Sequence, residues 1–422
     1  MGCLARVAEE TLLDYVTRPK NILILSYWSL REPLTAAAVF PYMRILSERS
    51  DVGTIRLVTM ETTKKFLPEV DLDIEKVTHT EIRSRKGISG GIAKAELFIR
   101  TVFVLIRMVR REKIDLVIAK ASLAGAIADL VHFLTGVPYM VESYEPHATY
   151  MAECGVWERS SLRFRFAHWM EQRQLVHASH IITVTRNHRN DLIREGISPQ
   201  KVHVVPSITD LEVFRFDPVE RQRIRAELGI PEGSEVGIYV GKFGGLYFET
   251  EAFEIFKRAM DGMHDMHVLV LSPSDHEHIR QLAEEAGIRR DRFHVLTVKH
   301  VEVPHYLSAS DMAFSTIKPS PAKRYQCPIK NGEYWANGLP ILMTDGVADD
   351  HLLMRKGLGG AVYREDLADL DQALGNIRKI LDQPGHRSMI QGLARRFRSS
   401  TIIQDVYEEL FGPDAAGSAS GG

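Results

Sequence analysis

The sequence predicts an α/β protein built from two Rossmann-like, doubly wound parallel-sheet domains that face each other across a cleft. Three observations carry this. Short apolar runs alternate with helical segments along the whole chain, and that alternation builds parallel sheets covered by helices on both faces. The alternation restarts after a polar, proline-bounded stretch, P-S-I-T-D-L-E-V-F-R-F-D-P-V-E (206–220). At 422 residues the chain is too long for one ordinary core, whereas two domains of roughly 150–200 residues suit it.

In the first half, I-L-I-L-S-Y-W after Lys20-Asn21 is a continuous apolar run fit for a strand buried on both faces. S-L-R-E-P-L-T-A-A-A-V-F then reads as a loop and a helix, with Pro33 near its first turn. Further strands are I-R-L-V-T-M (55–60), D-L-V-I-A-K (115–120), G-V-P-Y-M-V-E-S-Y (136–144), H-I-I-T-V-T (180–185) and V-H-V-V-P (202–206). In the second half the strands are G-I-Y-V-G (237–241), M-H-V-L-V-L (266–271), R-F-H-V-L-T-V (292–298), M-A-F-S-T (312–316), L-P-I-L-M-T (339–344) and G-A-V-Y (360–363). The expected organisation is a helical N-terminal extension over 1–19, a first domain over 20–205, a linker over 206–220 and a second domain over 221–397. A helix over 398–412 is expected to pack back on the first domain, followed by a disordered small-residue tail over 413–422.

A formal net charge of -2 gives no reason to expect nucleic acid as a partner. Cys3, Cys154 and Cys327 are too few and too far apart for a disulfide framework or a zinc cluster, which points to a reducing, cytoplasmic setting. The first twenty residues carry Glu9, Glu10 and Asp14 and lack the apolar run of a secretory signal. Met1-Gly2-Cys3 invites lipidation, but Arg6 stands where that pattern wants Ser or Thr. Leu97–Val109 is interrupted by Arg100 and Arg107 and is too short to span a bilayer.

Four stretches then stand out in order: V-V-P-S-I-T-D-L-E-V-F (204–214), Y-V-G-K-F-G-G-L-Y (239–247), Y-L-S-A-S-D-M-A-F (306–314) and P-I-K-N-G-E-Y-W-A-N-G-L-P-I-L (328–342). They resemble, respectively, the linker, the first donor-domain loop, a Y-x-x-x-A-D-x helix and strand, and the P-x-K-x-x-E-Y-x-A-x-G-x-P signature of retaining glycosyltransferase family 4. That resemblance implies the two-Rossmann GT-B architecture. It also implies a nucleotide-sugar donor (UDP-, GDP- or dTDP-linked) on the second domain and a carbohydrate, lipid-linked or small-molecule acceptor on the first, with no further cofactor.

The residues that match the family acquire roles on this basis. Lys242, Gly244 and Gly245 follow a buried strand, where glycines admit close backbone approach and a lysine meets a diphosphate. The family's second lysine about five positions later is Tyr247 here, which makes Lys330 the candidate for the second cation. Asn331 and Gly332 offer amides at a helix start, and the Glu333 carboxylate suits both ribose hydroxyls. His147 matches the histidine that faces the transferred sugar, so His147 and Glu333 are the candidate catalytic residues. Base contact falls by position on T-V-K-H (297–300), with Val298 and Lys299 named. Tyr325 occupies the place of the family's first glutamate, leaving Lys323, Arg324 and Gln326 as open alternatives for the sugar hydroxyls. W-S-L-R-E (28–32) lacks the glycines expected of the first loop.

No metal site is expected. Asp349-Asp350 are adjacent, and successive side chains do not converge on one ion, so lysines and helix dipoles are expected to neutralise the leaving group. Residues 82–113 carry nine Lys or Arg against Glu96 and Glu112, and residues 157–169 mix aromatics with arginines. Either peripheral membrane contact or a plain solvated helix face accounts for them. Two other functions fit the same architecture: a non-hydrolysing sugar-nucleotide epimerase and a catalytically silent nucleotide-sugar-binding protein. Neither half carries G-x-G-x-x-G after its first strand, which argues against oxidoreduction.

Overall fold

Seven parallel strands form the first sheet: β1 (Lys20–Ser26), β2 (Val52–Glu61), β3 (Val77–Arg83), β4 (Leu116–Lys120), β5 (Tyr139–Ser143), β6 (His180–Thr183) and β7 (Val202–Val204). Their spatial order is β3-β2-β1-β4-β5-β6-β7. The second sheet holds β8 (Val236–Val240), β9 (His267–Leu271), β10 (Phe293–Leu296), β11 (Met312–Ser315), β12 (Ile341–Thr344) and β13 (Gly360–Tyr363), in the order β10-β9-β8-β11-β12-β13. These are the features of a computed structural model that describes residues 18–31, 33–61, 72–85, 90–245, 247–263 and 265–411. Most of the expected N-terminal extension, including the Met1-Gly2-Cys3 stretch, and the tail lie outside the described residues.

Both sheets reverse their winding beside their first strand, between β1 and β4 and between β8 and β11. Crevices form at the carboxyl ends of strands at such a reversal, and ligands bind there in open parallel sheets. The central strands are buried on both faces, as their unbroken apolar runs require: Ile22, Leu23, Ile24 and Leu25 of β1 are fully buried, as are Val268, Leu269 and Val270 of β9.

One strand escaped the sequence reading. β3 reads V-T-H-T-E-I-R, and only Ile82 in it is buried. It lies at the sheet edge against β2, where half its side chains meet water and the apolar signal of a central strand disappears.

The helices Gly90–Glu112 and Ser122–Thr135 cover one face of the first sheet, with Leu162–His177 packed beside them. The helix Pro33–Glu48 covers the other face, and there Ile403, Tyr407, Leu410 and Phe411 of the last helix, Thr401–Phe411, join Ile22, Ile24 and Ile118 in one core. The chain therefore passes between the domains twice, once after β7 and once before Thr401. The two passes touch: the Thr209 amide donates to the Arg398 carbonyl at 2.8 Å. Among the described residues no helix is long and apolar enough to cross a membrane.

Candidate active site in the interdomain cleft

Between the carboxyl ends of the two sheets lies a cleft of about 490 Å³. The first domain contributes Tyr27, Trp28, Tyr144, Glu145 and His147; the second contributes Val240, Gly241, Tyr247 and the run Gln326–Lys330. Lys330 lies in the first turn of the helix Ile329–Asn337, which two aromatic side chains fix in place. The Tyr334 hydroxyl accepts the Val240 amide at 2.9 Å, and the Trp335 indole N–H donates to the Gly359 carbonyl at 2.8 Å. These bonds tie the helix to the end of β8 and to the start of β13.

Successive residues of a helix are turned by about 100° from one another, so a run of four cannot aim at one ligand. Lys330 to Glu333 show the consequence. Lys330 Nζ reaches the cleft, 3.3 Å from the Val240 carbonyl and over the rings of Tyr239 and Tyr247 at 4.5 and 5.2 Å. Burial, with the nearby charge of Lys323, pushes its pKa down to about 7, and Glu333 offsets this only in part. Asn331 points away from the cleft, where its amide donates to Asp350 at 2.9 Å. Gly332 faces the linker: a Cβ there would stand 2.3 Å from Thr209 Oγ1 and 3.0 Å from Arg398 Cδ. Its glycine is demanded by helix-to-linker packing, and neither Asn331 nor Gly332 lines the cleft. Glu333 is buried and accepts from His300 Nε2 at 2.9 Å, which holds the half-exposed imidazole above its usual pKa.

The loop after β8 is also placed differently from the expectation. Lys242 is exposed and, with Gly244 and Gly245, does not line the cleft. Its carbonyl accepts from the Tyr239 hydroxyl at 2.5 Å. Gly244 and Gly245 have φ of 76° and 63°, and Tyr247 turns back to pair with Ile317. The glycines serve a tight turn that lays the Tyr247 ring over Lys330. Gly241, at φ 152°, is the glycine of this loop that borders the cleft; a Cβ there would stand 3.4 Å from Lys330 Nζ. Val298 is half-buried against the second-domain core, and Lys299 is exposed beside His300.

Around Tyr325, where the resemblance expects a glutamate, the neighbouring side chains go to different places. The Tyr325 hydroxyl donates to Asp191 of the first domain at 2.5 Å, and Arg324 pairs with the same carboxylate. Both belong to the domain interface behind the cleft. Gln326 lines the cleft, and Lys323 lies just behind it, 3.3 Å from the Tyr150 hydroxyl and 5.7 Å from the Tyr247 ring. Burial lowers the Lys323 pKa.

His147 begins a short helix, His147–Glu153, directly after β5, with Nδ1 3.4 Å from Glu145 Oε1 and its ring edge-on to Trp157. Burial acts to lower its pKa, but the Glu145 bond and charge, with Glu171, carry it above the ordinary value. Glu171 supports this turn from behind: its carboxylate accepts the Ser122 hydroxyl at 2.7 Å and the Ala148 amide at 3.2 Å. Its burial pushes the pKa up to about 7.

The sequence reading missed one further pair. Lys120 and Glu142 end the neighbouring strands β4 and β5 in matched register, and their charged ends meet at 2.5 Å with no exposure to solvent at Lys120. Burial lowers Lys120 and raises Glu142, each toward its neutral form. The signal was present as two polar residues closing two apolar runs at aligned positions. Asp349 and Asp350 diverge. Asp349 accepts the Arg186 amide at 2.6 Å at the start of the helix Arg186–Arg194, while Asp350 pairs with Arg398.

Comparisons with known proteins fit this geometry. Residues 67–207 match the family described as "Glycosyl transferase 4-like domain". The match falls on the first domain, outside three of the four quoted stretches. The chain is 26% identical over 125 residues to alpha-maltose-1-phosphate synthase of Mycobacterium tuberculosis, a span of 28% of this chain and 29% of that protein. Among solved structures it is similar to sucrose-phosphate synthase from Thermosynechococcus elongatus, with TM-score 0.70 and 15% identity over 95% of this chain and 100% of that one. It is also similar to Anabaena HepE in complex with UDP and glucose, with TM-score 0.65 and 14% identity over 93% and 99% of the two chains. Residues 67–207 are therefore similar to a glycosyl transferase 4-like domain, and the chain as a whole has the two-domain GT-B fold.

Proposed function

We propose that the protein is a glycosyltransferase that moves a sugar from a nucleotide-sugar donor to a carbohydrate or lipid-linked acceptor, with retention of anomeric configuration. The donor sits on the second domain and the acceptor enters from the first. One observation carries this reading: the half-buried Lys330 amine at the cleft end of a helix, held by a carbonyl and two rings and in no ion pair among the described residues. A desolvated cation at a helix start is matched by an anion, and a diphosphate supplies one.

In this reading Lys330 neutralises the charge that grows on the departing nucleoside diphosphate, a role here assigned to a lysine and a helix dipole in place of a metal. His147, held by Glu145, orients the hydroxyls of the transferred sugar. Glu333 receives the ribose hydroxyls where it now receives His300, and Val298 and Lys299 border the base. UDP is the first donor to test, because the similar HepE structure holds it.

The test is a calorimetric titration of UDP-, GDP- and dTDP-glucose into wild type and Lys330→Ala. Loss of a charge-assisted contact is expected to weaken the preferred donor about 10- to 100-fold; equal affinity in the two proteins removes the proposal's basis. An NMR assay with donor alone settles the reaction class. Slow hydrolysis with retained configuration is expected, and an epimerised nucleotide sugar would assign the chain to the epimerases of the same architecture.

A further inference from the structure

The exposed aromatic side chains gather on one side of the first domain. Phe103, Phe133, Phe166 and Trp169 are 67%, 76%, 51% and 52% exposed, and they sit on the three neighbouring helices Gly90–Glu112, Ser122–Thr135 and Leu162–His177. On the second domain the large exposed apolar side chains, such as Val301 and Met389, are aliphatic or methionine. Along Leu162–His177, Leu162, Phe166, Trp169 and Val176 recur at helical spacing and form one stripe; Ile92, Ile99 and Phe103 do the same on Gly90–Glu112. A helix that faced only water would carry polar residues on those stripes.

On the three helices every carboxylate is engaged, and the exposed Glu158 lies just before the last of them. Glu96 is held by Arg85 and Arg100 at 3.3 and 3.2 Å, Glu112 by Arg56 at 2.9 Å, and Asp129 by Arg173 and His177, both at 2.7 Å. Glu171 is turned inward onto Ser122. Those four are all the carboxylates on the three helices. Arg107, Arg163 and Arg165 are exposed beside the apolar stripes and form no ion pair among the described residues.

We propose that this face docks on a bilayer containing anionic lipid. The aromatic and aliphatic side chains enter the headgroup boundary while the arginines meet lipid phosphates. The occupant follows from charge: a surface with the carboxylates of its helices engaged and its arginines interleaved with aromatics complements a negative, apolar-edged plane. Ser122 and Leu123, at the start of the middle helix, line the cleft. The first-domain side of the cleft therefore lies at one end of the docking face, about 15 Å along the middle helix from Phe133. If the proposed transfer function holds, an acceptor anchored in the bilayer reaches the cleft; the docking itself does not depend on that function.

The test is co-sedimentation of the full chain with vesicles of phosphatidylcholine alone and of phosphatidylcholine mixed with phosphatidylglycerol, at about 0.1 M salt. Binding to the mixed vesicles and not to the neutral ones is expected. The combined substitution Phe103→Ser, Phe166→Ser and Trp169→Ser is expected to weaken it at least about tenfold, as is Arg107→Glu with Arg163→Glu and Arg165→Glu. Val301→Ser with Met389→Ser, on the other domain, is the control and binds as wild type. All the substituted side chains are exposed, and an unchanged thermal unfolding midpoint shows that the variants fold. No binding to the mixed vesicles, or wild-type binding by the aromatic variant, overturns the proposal. So does a dimer in light scattering that the aromatic substitutions dissolve, which would make a second copy the occupant.

Discussion

A lysine stripped of water holds its proton weakly, and Lys330, pushed down to about 7, is the residue where this matters most. In the unfolded chain the same group titrates near its ordinary value of about 10.5. Between these values the unfolded state binds more protons than the folded one, so the Lys330 contribution makes the empty protein more stable as pH rises from about 7 toward 10. An anion in the cleft acts oppositely, because it restores the charged form. Donor binding at about pH 8 is thus expected to take up close to one proton, measured by calorimetry in buffers of different ionisation enthalpy; Lys330→Met should take up none. Absence of uptake in wild type would remove Lys330 from the anion site. At Gly332 the expected effect is on the fold instead. A Cβ 2.3 Å from Thr209 Oγ1 forces the linker to shift, so Gly332→Ala should cost about 1–3 kcal/mol in urea unfolding and leave donor affinity near wild type.

At the scale of the element, the helix Arg186–Arg194 of the first domain is capped by its own Thr185 and receives a carboxylate from the other domain, Asp349. Asp349→Asn keeps the shape and removes the charge from the helix start. It should lower stability by about 0.3–1 kcal/mol, measured by chemical unfolding, and a null result would make the contact incidental. The same scale explains how much was legible beforehand. Strands buried on both faces announce themselves as unbroken apolar runs, so β1, β4 and β9 could be read directly. β3 could not, because an edge strand is half polar. The helix Ile329–Asn337 was legible as a junction, but its residues Lys330 to Glu333 face four different neighbours. Which one meets the ligand depends on the helix's rotation about its axis, and that rotation is set by Tyr334 and Trp335 bonding to distant carbonyl and amide groups. The loop Gly241–Tyr247 was hard to read for a related reason: its glycines and lysine match a phosphate loop, yet in this structure the turn presents Tyr247 to the cleft, where the nearest cation is Lys330.

For the whole molecule, the last helix matters beyond its length. Tyr407 is fully buried against the first sheet, close enough to Tyr42 and Glu142 for their charges to raise its pKa further. Tyr407→Ala should cost about 3–5 kcal/mol and should appear as a lowered unfolding midpoint together with a loosened domain pair, since this helix follows the second domain in sequence but folds with the first. A midpoint within error of wild type would mean that the helix docks without contributing to the core.

The paired crossings of the backbone, joined by the Thr209–Arg398 bond and flanked by the Ser207 hydroxyl donating to the Cys327 carbonyl at 2.7 Å, act like two pins on one side of a door. Whatever swing the lobes make pivots about the line through those pins. A swing that keeps the Ser207 bond leaves the lip near Ser207 and Cys327 in place, and to widen the far side it has to part the Arg324–Asp191 and Arg186–Asp349 contacts between the lobes.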